Sequence, residues 1–158
     1  MKNPWKKRAR IRWLSICGMI AAIILLSLPC PAQAKMVAVA GDWINMRSGP
    51  DQFYPVLWQL DRGHPLKVLG KKRTWLHVED FEGDKGWVAA RLTSQIPHMI
   101  VRAKIVNIRS KPNTSATIIA KAERGTVFRT LLHQEGWVKV QHQQGIVGWV
   151  AKHLLWGW

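Results

Sequence analysis

Apolar and polar residues alternate in short runs after residue 34, and no window of helical length repeats apolar positions at i, i+3 and i+4. The first run, 37–47, is predicted to form one strand that ends at the turn 48–51. Shorter runs follow at 56–58, 65–69, 75–79 and 87–89, each bounded by turn residues. The pattern predicts five or six short strands, and therefore a small barrel or sandwich in an all-β fold.

The same pattern recurs 62 residues later. Residues 42–96 align with 104–158 without a gap and share 15 of 55 positions, where unrelated sequences share roughly one in twenty. The tetrapeptide at 86–89, Gly-Trp-Val-Ala, returns intact at 148–151. The repeat predicts two tandem modules, 35–96 and 97–158. The junction at 95–98 is too short for a flexible tether, so we expect a restricted angle between them.

Residues 1–34 have the three parts of a secretory signal peptide. Six Lys and Arg residues precede 16 uncharged residues at 13–28, and Ala32-Gln33-Ala34 follows. We predict a signal helix that is cleaved after Ala34, and export to the periplasm or the exterior. An uncleaved anchor is the alternative, but 16 residues fall short of the roughly 20 that span a bilayer. Cleavage would leave no stable membrane span, and it would remove both cysteines, Cys17 and Cys30.

Two sets of motifs identify a resemblance to a known family. In the first module they are Asn45-Met46-Arg47-Ser48-Gly49-Pro50, Arg62-Gly63, Trp75-x-x-Val78 and Gly83-x-x-Gly86-Trp87-Val88; in the second they are Asn107-Ile108-Arg109-Ser110, Arg124-Gly125, Trp137-x-x-Val140 and Gly145-x-x-Gly148-Trp149-Val150. Both sets resemble the bacterial SH3 (SH3b) family. The resemblance implies two tandem SH3-like β-barrels that act as a non-catalytic module of the cell envelope. Family members accompany cell-wall hydrolases and are thought to bind peptidoglycan.

Charge is unevenly distributed in the chain, whose formal net charge is +15. The first module carries nine basic and seven acidic residues, whereas the second carries nine basic residues and only Glu123 and Glu135 as acids. This balance, together with a predicted basic loop at Lys71, Lys72 and Arg73, indicates an anionic partner. A solvated face is the alternative for so short a loop. Nucleic acid would suit the charge, but export argues against it.

Aromatic residues present in one module only are the stronger candidates for a ligand site. They are Phe53, Tyr54 and Trp58, which the second module replaces with Ser115, Ala116 and Ala120. Residues kept by both copies are interpreted as structural, with the Trp pairs in the core; a sugar- or peptide-binding face is the alternative for these pairs. They are Asn45, Arg47, Trp75, Gly86, Trp87, Asn107, Arg109, Trp137, Gly148 and Trp149.

The two arginines of that set allow two interpretations. Arg47 and Arg109 would hold the neighbouring loop through backbone carbonyls, or they would grip a ligand carboxylate. The structural interpretation is favoured, because both copies keep the residue although their loops differ. The C-terminal Trp156-Gly157-Trp158 is interpreted as having no counterpart in the first module, and it is predicted to dock against that module or to recognise a partner.

Catalysis is not expected. Residues 35–158 lack cysteine and the Gly-x-Ser-x-Gly and His-Glu-x-x-His signatures, and no two histidines have the close spacing typical of a metal site. We therefore predict no catalytic residue, no metal and no cofactor. The predicted function is binding to peptidoglycan or another anionic wall polymer. The alternative is a protein adaptor that binds or regulates an envelope enzyme. No oligomeric state is predicted.

Overall fold

A computed structural model describes residues 35–158, and the predicted signal segment with its cleavage site lies outside them. The described residues belong to one compact unit that contains two antiparallel sheets of seven strands each. The all-β prediction, with two small β domains in tandem, is confirmed. Within residues 35–158 the helical residues form two 3₁₀ turns, Ala90–Leu92 and Lys152–Leu154.

The two sheets share one topology. The strands of the first are β1 (Met36–Val39), β2 (Ile44–Arg47), β3 (Val56–Leu60), β4 (Pro65–Lys72), β5 (Trp75–Glu79), β6 (Lys85–Ala89) and β7 (Thr93–Ser94). Those of the second are β8 (His98–Val101), β9 (Ile105–Arg109), β10 (Ile118–Glu123), β11 (Val127–Gln134), β12 (Trp137–His142), β13 (Val147–Ala151) and β14 (Leu155–Gly157). The order β3-β2-β6-β5-β4-β1-β7 is reproduced as β10-β9-β13-β12-β11-β8-β14, so the 62-residue repeat is structural. The first and second module below mean these two sheets.

Each module has its own core, built from the alternate residues of its strands. In β5, Leu76 and Val78 are buried while Trp75, His77 and Glu79 lie on the other face. The same alternation buries Val88 in β6. The second core repeats this arrangement around Val138, Val140 and Phe128. Alternate residues of a strand point to opposite faces, which explains why each core takes only half of every apolar run.

The interpretation that the repeated Trp residues lie in the core is wrong for three of the four. Trp75 and Trp87 are half-buried on the outer face of the first sheet, and Trp137 is half-buried at the equivalent place in the second. Trp149 is the exception, since it is buried with 9% of its surface exposed. The residue that follows each Trp, Leu76 or a valine, occupies the inner face, and successive side chains cannot share a face of a strand.

The predicted strand 37–47 is also wrong, because the chain breaks between β1 and β2. Trp43 has a φ of 58°, in the left-handed region that side-chain-bearing residues rarely adopt. Arg62 donates two hydrogen bonds, of 3.1 and 3.2 Å, to the Asp42 carboxylate and so holds the bend. The break, together with the short edge strand β7, raises the number of strands from the predicted five or six to seven.

The predicted basic loop is mostly strand. Lys71 and Lys72 belong to β4, where they pair with Leu76 and Trp75 of β5. Only Arg73 and Thr74 remain for the turn. Strands β4 and β5 are paired up to Lys72 and Trp75, so a two-residue turn joins them. The longer loop predicted from three consecutive basic residues is therefore not formed.

Close contacts join the two modules. A Cβ atom on Gly63 would lie 2.8 Å from Cδ2 of His98 and 3.0 Å from Cγ1 of Val127. The Arg124 guanidinium donates a 2.9 Å hydrogen bond to the Glu82 carboxylate. Its central carbon lies 5.2 Å from the centre of the Phe81 ring. The junction is shorter than predicted, since His98 is already part of β8.

The C-terminal residues do have a structural counterpart in the first module. β14 pairs with β8 as β7 pairs with β1, so Leu155 and Trp156 match Thr93 and Ser94 in position. Cα atoms of β14 also come within 8 Å of β4, a strand of the first module. The terminal strand thus completes its own sheet and lies next to the other module.

Candidate functional site

A cleft of about 690 Å³ opens on the outer face of the first module. One side is formed by β2, where Asn45 and Arg47 point away from the core. The β4–β5 turn, the loop after β2 and the 3₁₀ turn after β6 complete it. The residues that line the cleft are Trp43, Ile44, Asn45, Arg47, Asp51, Gln52, Lys71, Arg73, Thr74, Trp75, Ala89, Ala90, Arg91 and Leu92. We call it the basic cleft.

Two indole rings contribute the aromatic surface of the basic cleft. Trp43 is 68% exposed, because the left-handed bend holds it away from the core. Trp75 is half-buried at the start of β5 and pairs with Ala89 of β6, whose small side chain leaves space beside the ring. Exposed indole faces pack against the apolar faces of sugar rings and against peptide groups, since they combine a large apolar area with a polar edge.

Positive charge dominates the lining. Arg47, Lys71, Arg73 and Arg91 face a single carboxylate, that of Asp51. The Asp51 carboxylate already accepts a 3.1 Å hydrogen bond from the backbone N–H of Phe53, so it serves the loop. Clefts with one sign of charge concentrate ligands of the opposite sign. Within residues 35–158 no group of three or more His, Cys, Asp or Glu side chains could hold a metal ion.

Arg73 reaches the cleft from a strained backbone. Its φ of 53° is left-handed, as is that of Glu135, at 36°, in the equivalent turn of the second module. Non-glycine residues in this region cost on the order of 1 kcal/mol or more and persist where the surrounding structure holds them. The hairpin register therefore fixes where this side chain projects.

Arg47 makes the contact that the structural interpretation predicts. Its Nη1 donates a 2.7 Å hydrogen bond to the carbonyl oxygen of Tyr54, and Arg109 does the same to Ala116. These are equivalent positions of the two modules. Arg47 also lines the basic cleft. It thus braces the loop and contributes charge to the cleft.

The structure brings together only part of the predicted ligand set. Lys71 and Arg73 line the basic cleft, whereas Lys72, Phe53, Tyr54 and Trp58 do not. Phe53 is 86% exposed in the loop after β2. Trp58 is 53% exposed on the edge strand β3, where it pairs with the inward-facing Met46, so it lies on the other side of the sheet from Asn45 and Arg47.

Sequence reasoning missed Trp43 and Arg91. The signal that singled out Phe53 was an aromatic residue held by one module only, and Trp43 satisfies it because Ile105 takes its place. It was hidden inside the predicted strand 37–47. Arg91 follows the tetrapeptide that both modules share and corresponds to His153. The interpretation of that segment rested on the repeated Trp87 and did not include Arg91.

The equivalent cleft of the second module is smaller and differently charged. It has a volume of about 350 Å³ and is lined by Pro112, Asn113, Thr114, Gln134, Glu135 and Trp137. Glu135 occupies the place of Arg73, and His133 that of Lys71. The cations that give the second module its charge of +7 therefore lie outside its cleft. We call it the second cleft.

Comparison with known proteins places these features in a family. The model of the bacterial SH3 domain matches the chain twice, over residues 40–95 and 102–157. The chain is 25% identical over 154 residues to the putative N-acetylmuramoyl-L-alanine amidase YrvJ of Bacillus subtilis (strain 168), a match that covers 87% of this chain and 30% of that protein. It is 40% identical over 46 residues to the probable cell wall amidase LytH of Staphylococcus aureus, covering 28% of this chain and 16% of that protein.

The chain thus spans less than a third of the length of these relatives. Among solved structures, NlpC2 from Trichomonas vaginalis aligns at 15% identity with a TM-score of 0.36, over 78% of this chain and 48% of that chain. In residues 35–158 no helix combines the length and the apolar character needed to cross a membrane.

Proposed function

Because the chain belongs to the bacterial SH3 domain family, we propose that it is an exported, non-catalytic protein that binds a component of the bacterial cell envelope. The ligand we propose is peptidoglycan or another anionic wall polymer. The proposal includes cleavage after Ala34 and modules at 35–96 and 97–158. The mass of the secreted chain, which should begin at Lys35, checks the first of these.

The basic cleft is the observation that carries this proposal. It combines exposed indole surface on Trp43 and Trp75 with four cationic side chains, and wall polymers offer both sugar or peptide surface and negative charge. The relatives support the same direction, since the two named above are described as amidases, one of them of the cell wall. The match covers only a minor part of each, so their activity is not carried over to this chain.

Co-sedimentation with purified sacculi tests the proposal. The mature chain should pellet with sacculi at low ionic strength and progressively less as salt rises, because salt screens charges on exposed surfaces. Replacing Lys71 and Arg73 with Gln should weaken retention about tenfold or more. The matched control replaces Lys104 and Lys121, exposed cations of the second module, with Gln. It removes the same charge outside the basic cleft and should retain most of the binding.

The aromatic part of the proposal has its own pair of variants. Trp43→Ala removes an exposed ring that lines the basic cleft, and Trp58→Ala removes an exposed ring that does not. The first should reduce retention on sacculi and the second should not. If the wild-type chain does not pellet at low salt, wall binding is wrong.

An adaptor for an envelope protein is the second candidate, and the edge strand β3 favours it. Val56, Leu57 and Trp58 are all more than 40% exposed there. An exposed apolar edge strand can add a strand from a partner. Under this alternative, Trp58→Ala would abolish capture of an envelope protein, while Lys71 and Arg73 would matter little.

A further inference from the structure

The second cleft differs from the basic cleft most sharply in the sign of its charge. Glu135 supplies a carboxylate at the position where Arg73 supplies a guanidinium, and it is one of only two acids in 97–158. The surrounding framework is the same, since both residues begin a two-residue turn and both are left-handed. The same backbone therefore presents opposite charges in the two modules.

The other side chains of the second cleft suit a small cation. Asn113 and Gln134 carry amide oxygens that can accept hydrogen bonds. Trp137 is half-buried in the wall and offers an indole face, the aromatic surface that binds ammonium groups most strongly. A carboxylate, amide oxygens and an indole together form a binding environment for an ammonium group.

The Glu135 carboxylate is not committed to an internal ion pair. Among residues 35–158 no basic nitrogen lies within 4 Å of its oxygens. Lys152 lies beside this turn, where its backbone N–H donates a 2.8 Å hydrogen bond to the carbonyl of Gly136. Glu135 is exposed at the cleft, and its carboxylate, without an internal partner, is available to a cation from solution.

We propose that the second cleft binds a primary ammonium group, so that the two modules recognise groups of opposite charge. The inference extends the proposed function to a second site and rests on it only for the natural source of the ammonium group, an amine of an envelope peptide. A ligand with both carboxylates and amines would engage both clefts of one chain.

An NMR titration of the mature chain tests the second cleft directly. The probe is Nα-acetyl-L-lysine amide, which carries one ammonium group, and its Nε-acetylated form is the neutral comparison. The lysine probe should produce a saturable shift of the Trp137 indole N–H, and the acetylated probe should not. Equal responses to both probes, or no saturable shift of Trp137, would overturn the proposal.

Two matched variants locate the effect. Glu135→Gln keeps the shape of the side chain and should weaken binding of the probe at least about tenfold. Glu123→Gln removes the same charge from β10, outside the second cleft, and should leave binding within about twofold. Dispersed spectra of both variants establish that they fold. If both bind like the wild type, the ammonium site is wrong.

The titration does not depend on wall binding. A chain that fails to pellet with sacculi but binds the lysine probe through Glu135 would contradict the proposed function and support the second site. A chain that pellets with sacculi but does not bind the lysine probe would support the proposed function and contradict the second site.

Discussion

Gly49 shows how a neighbouring side chain, and not the backbone, requires a glycine. Gly49 does not have a left-handed φ, so its backbone conformation is open to other residues. A Cβ at this position would lie 2.4–2.5 Å from ring atoms of Tyr54. In the second module, Lys111 replaces Gly49 and Ala116 replaces Tyr54. A side chain is present at the first position where the ring is absent from the second. Lys111 does not have a positive φ, so this position imposes no backbone strain on a lysine.

Gly49→Ala should therefore lower the free energy of unfolding by about 1–3 kcal/mol, because the new methyl group overpacks against Tyr54. Urea unfolding measures the change. In a Tyr54→Ala background the same substitution should cost much less, and the double-mutant cycle reports the coupling. Equal costs in both backgrounds would contradict the explanation.

The arginine that braces each loop is a second residue-scale prediction. Arg47→Ala should lower the free energy of unfolding by about 1 kcal/mol, since the exposed Tyr54 carbonyl exchanges its charged donor for water. Arg109→Ala should act similarly through Ala116. Arg91→Ala removes an exposed arginine for which the described residues show no such bond, so it is the control in urea unfolding. A wild-type unfolding curve for Arg47→Ala would argue against bracing.

At the scale of elements, the strands were predictable and the faces of their side chains less so. Alternation and turn residues located most strands, because burying one face of a sheet imposes that pattern. The break at Trp43 was missed, since its bend depends on the distant Arg62. Lys71 and Lys72 were misplaced because pairing with β5 overrides the polarity of the segment. The basic cleft itself arises from β2, β4, β5 and β6 together, which no local window contains.

The assignment of inner and outer faces in β5 can be tested within one strand. Val78→Ala should lower the free energy of unfolding by about 1–3 kcal/mol, because Val78 is fully buried. Trp75→Ala should cost less stability, despite removing a larger side chain, but should weaken binding to sacculi. Chemical denaturation and co-sedimentation of the same two variants separate these effects. A larger loss of stability for Trp75→Ala than for Val78→Ala would contradict the assignment of Trp75 to the outer face.

At the scale of the whole molecule, one arginine has different partners in the two modules. Arg62 pairs with Asp42 inside the first module. Arg124 is the equivalent of Arg62, but the equivalent of Asp42 is Lys104, which cannot accept its hydrogen bonds. Arg124 pairs instead with Glu82 of the first module. It also donates to the carbonyl of Arg102. A repeat can thus gain an inter-module contact by changing the sign of one neighbour.

His64 lies next to this contact, and its ring centre is 5.8 Å from that of Phe81. Burial lowers the pKa of His64 below its ordinary value of 6.5, although Asp80, Asp61 and Glu82 act in the opposite direction. The folded chain therefore keeps the ring neutral where the unfolded chain takes up a proton. Stability should be constant above about pH 7 and fall as the pH drops below about 6.5.

Replacing His64 with Thr, the residue at position 126, should reduce this loss of stability at low pH. The free energy of unfolding at pH 7.5 and at pH 5.5 measures the difference. His133, whose pKa burial and Lys152 also lower, contributes with the same sign, so part of the slope should remain. An unchanged pH dependence in His64→Thr would contradict the assignment.

Binding to the wall polymer should reside in the basic cleft, where the two modules differ in charge. A ¹H–¹⁵N spectrum of the mature chain contains eight indole N–H signals, one for each Trp in 35–158, and can be titrated with soluble peptidoglycan fragments. We expect saturable shifts of Trp43 and Trp75, an unmoved Trp58, and loss of the shifts when Lys71 and Arg73 become Gln. Shifts confined to Trp58, or shifts of Trp43 and Trp75 that survive this substitution, would contradict it.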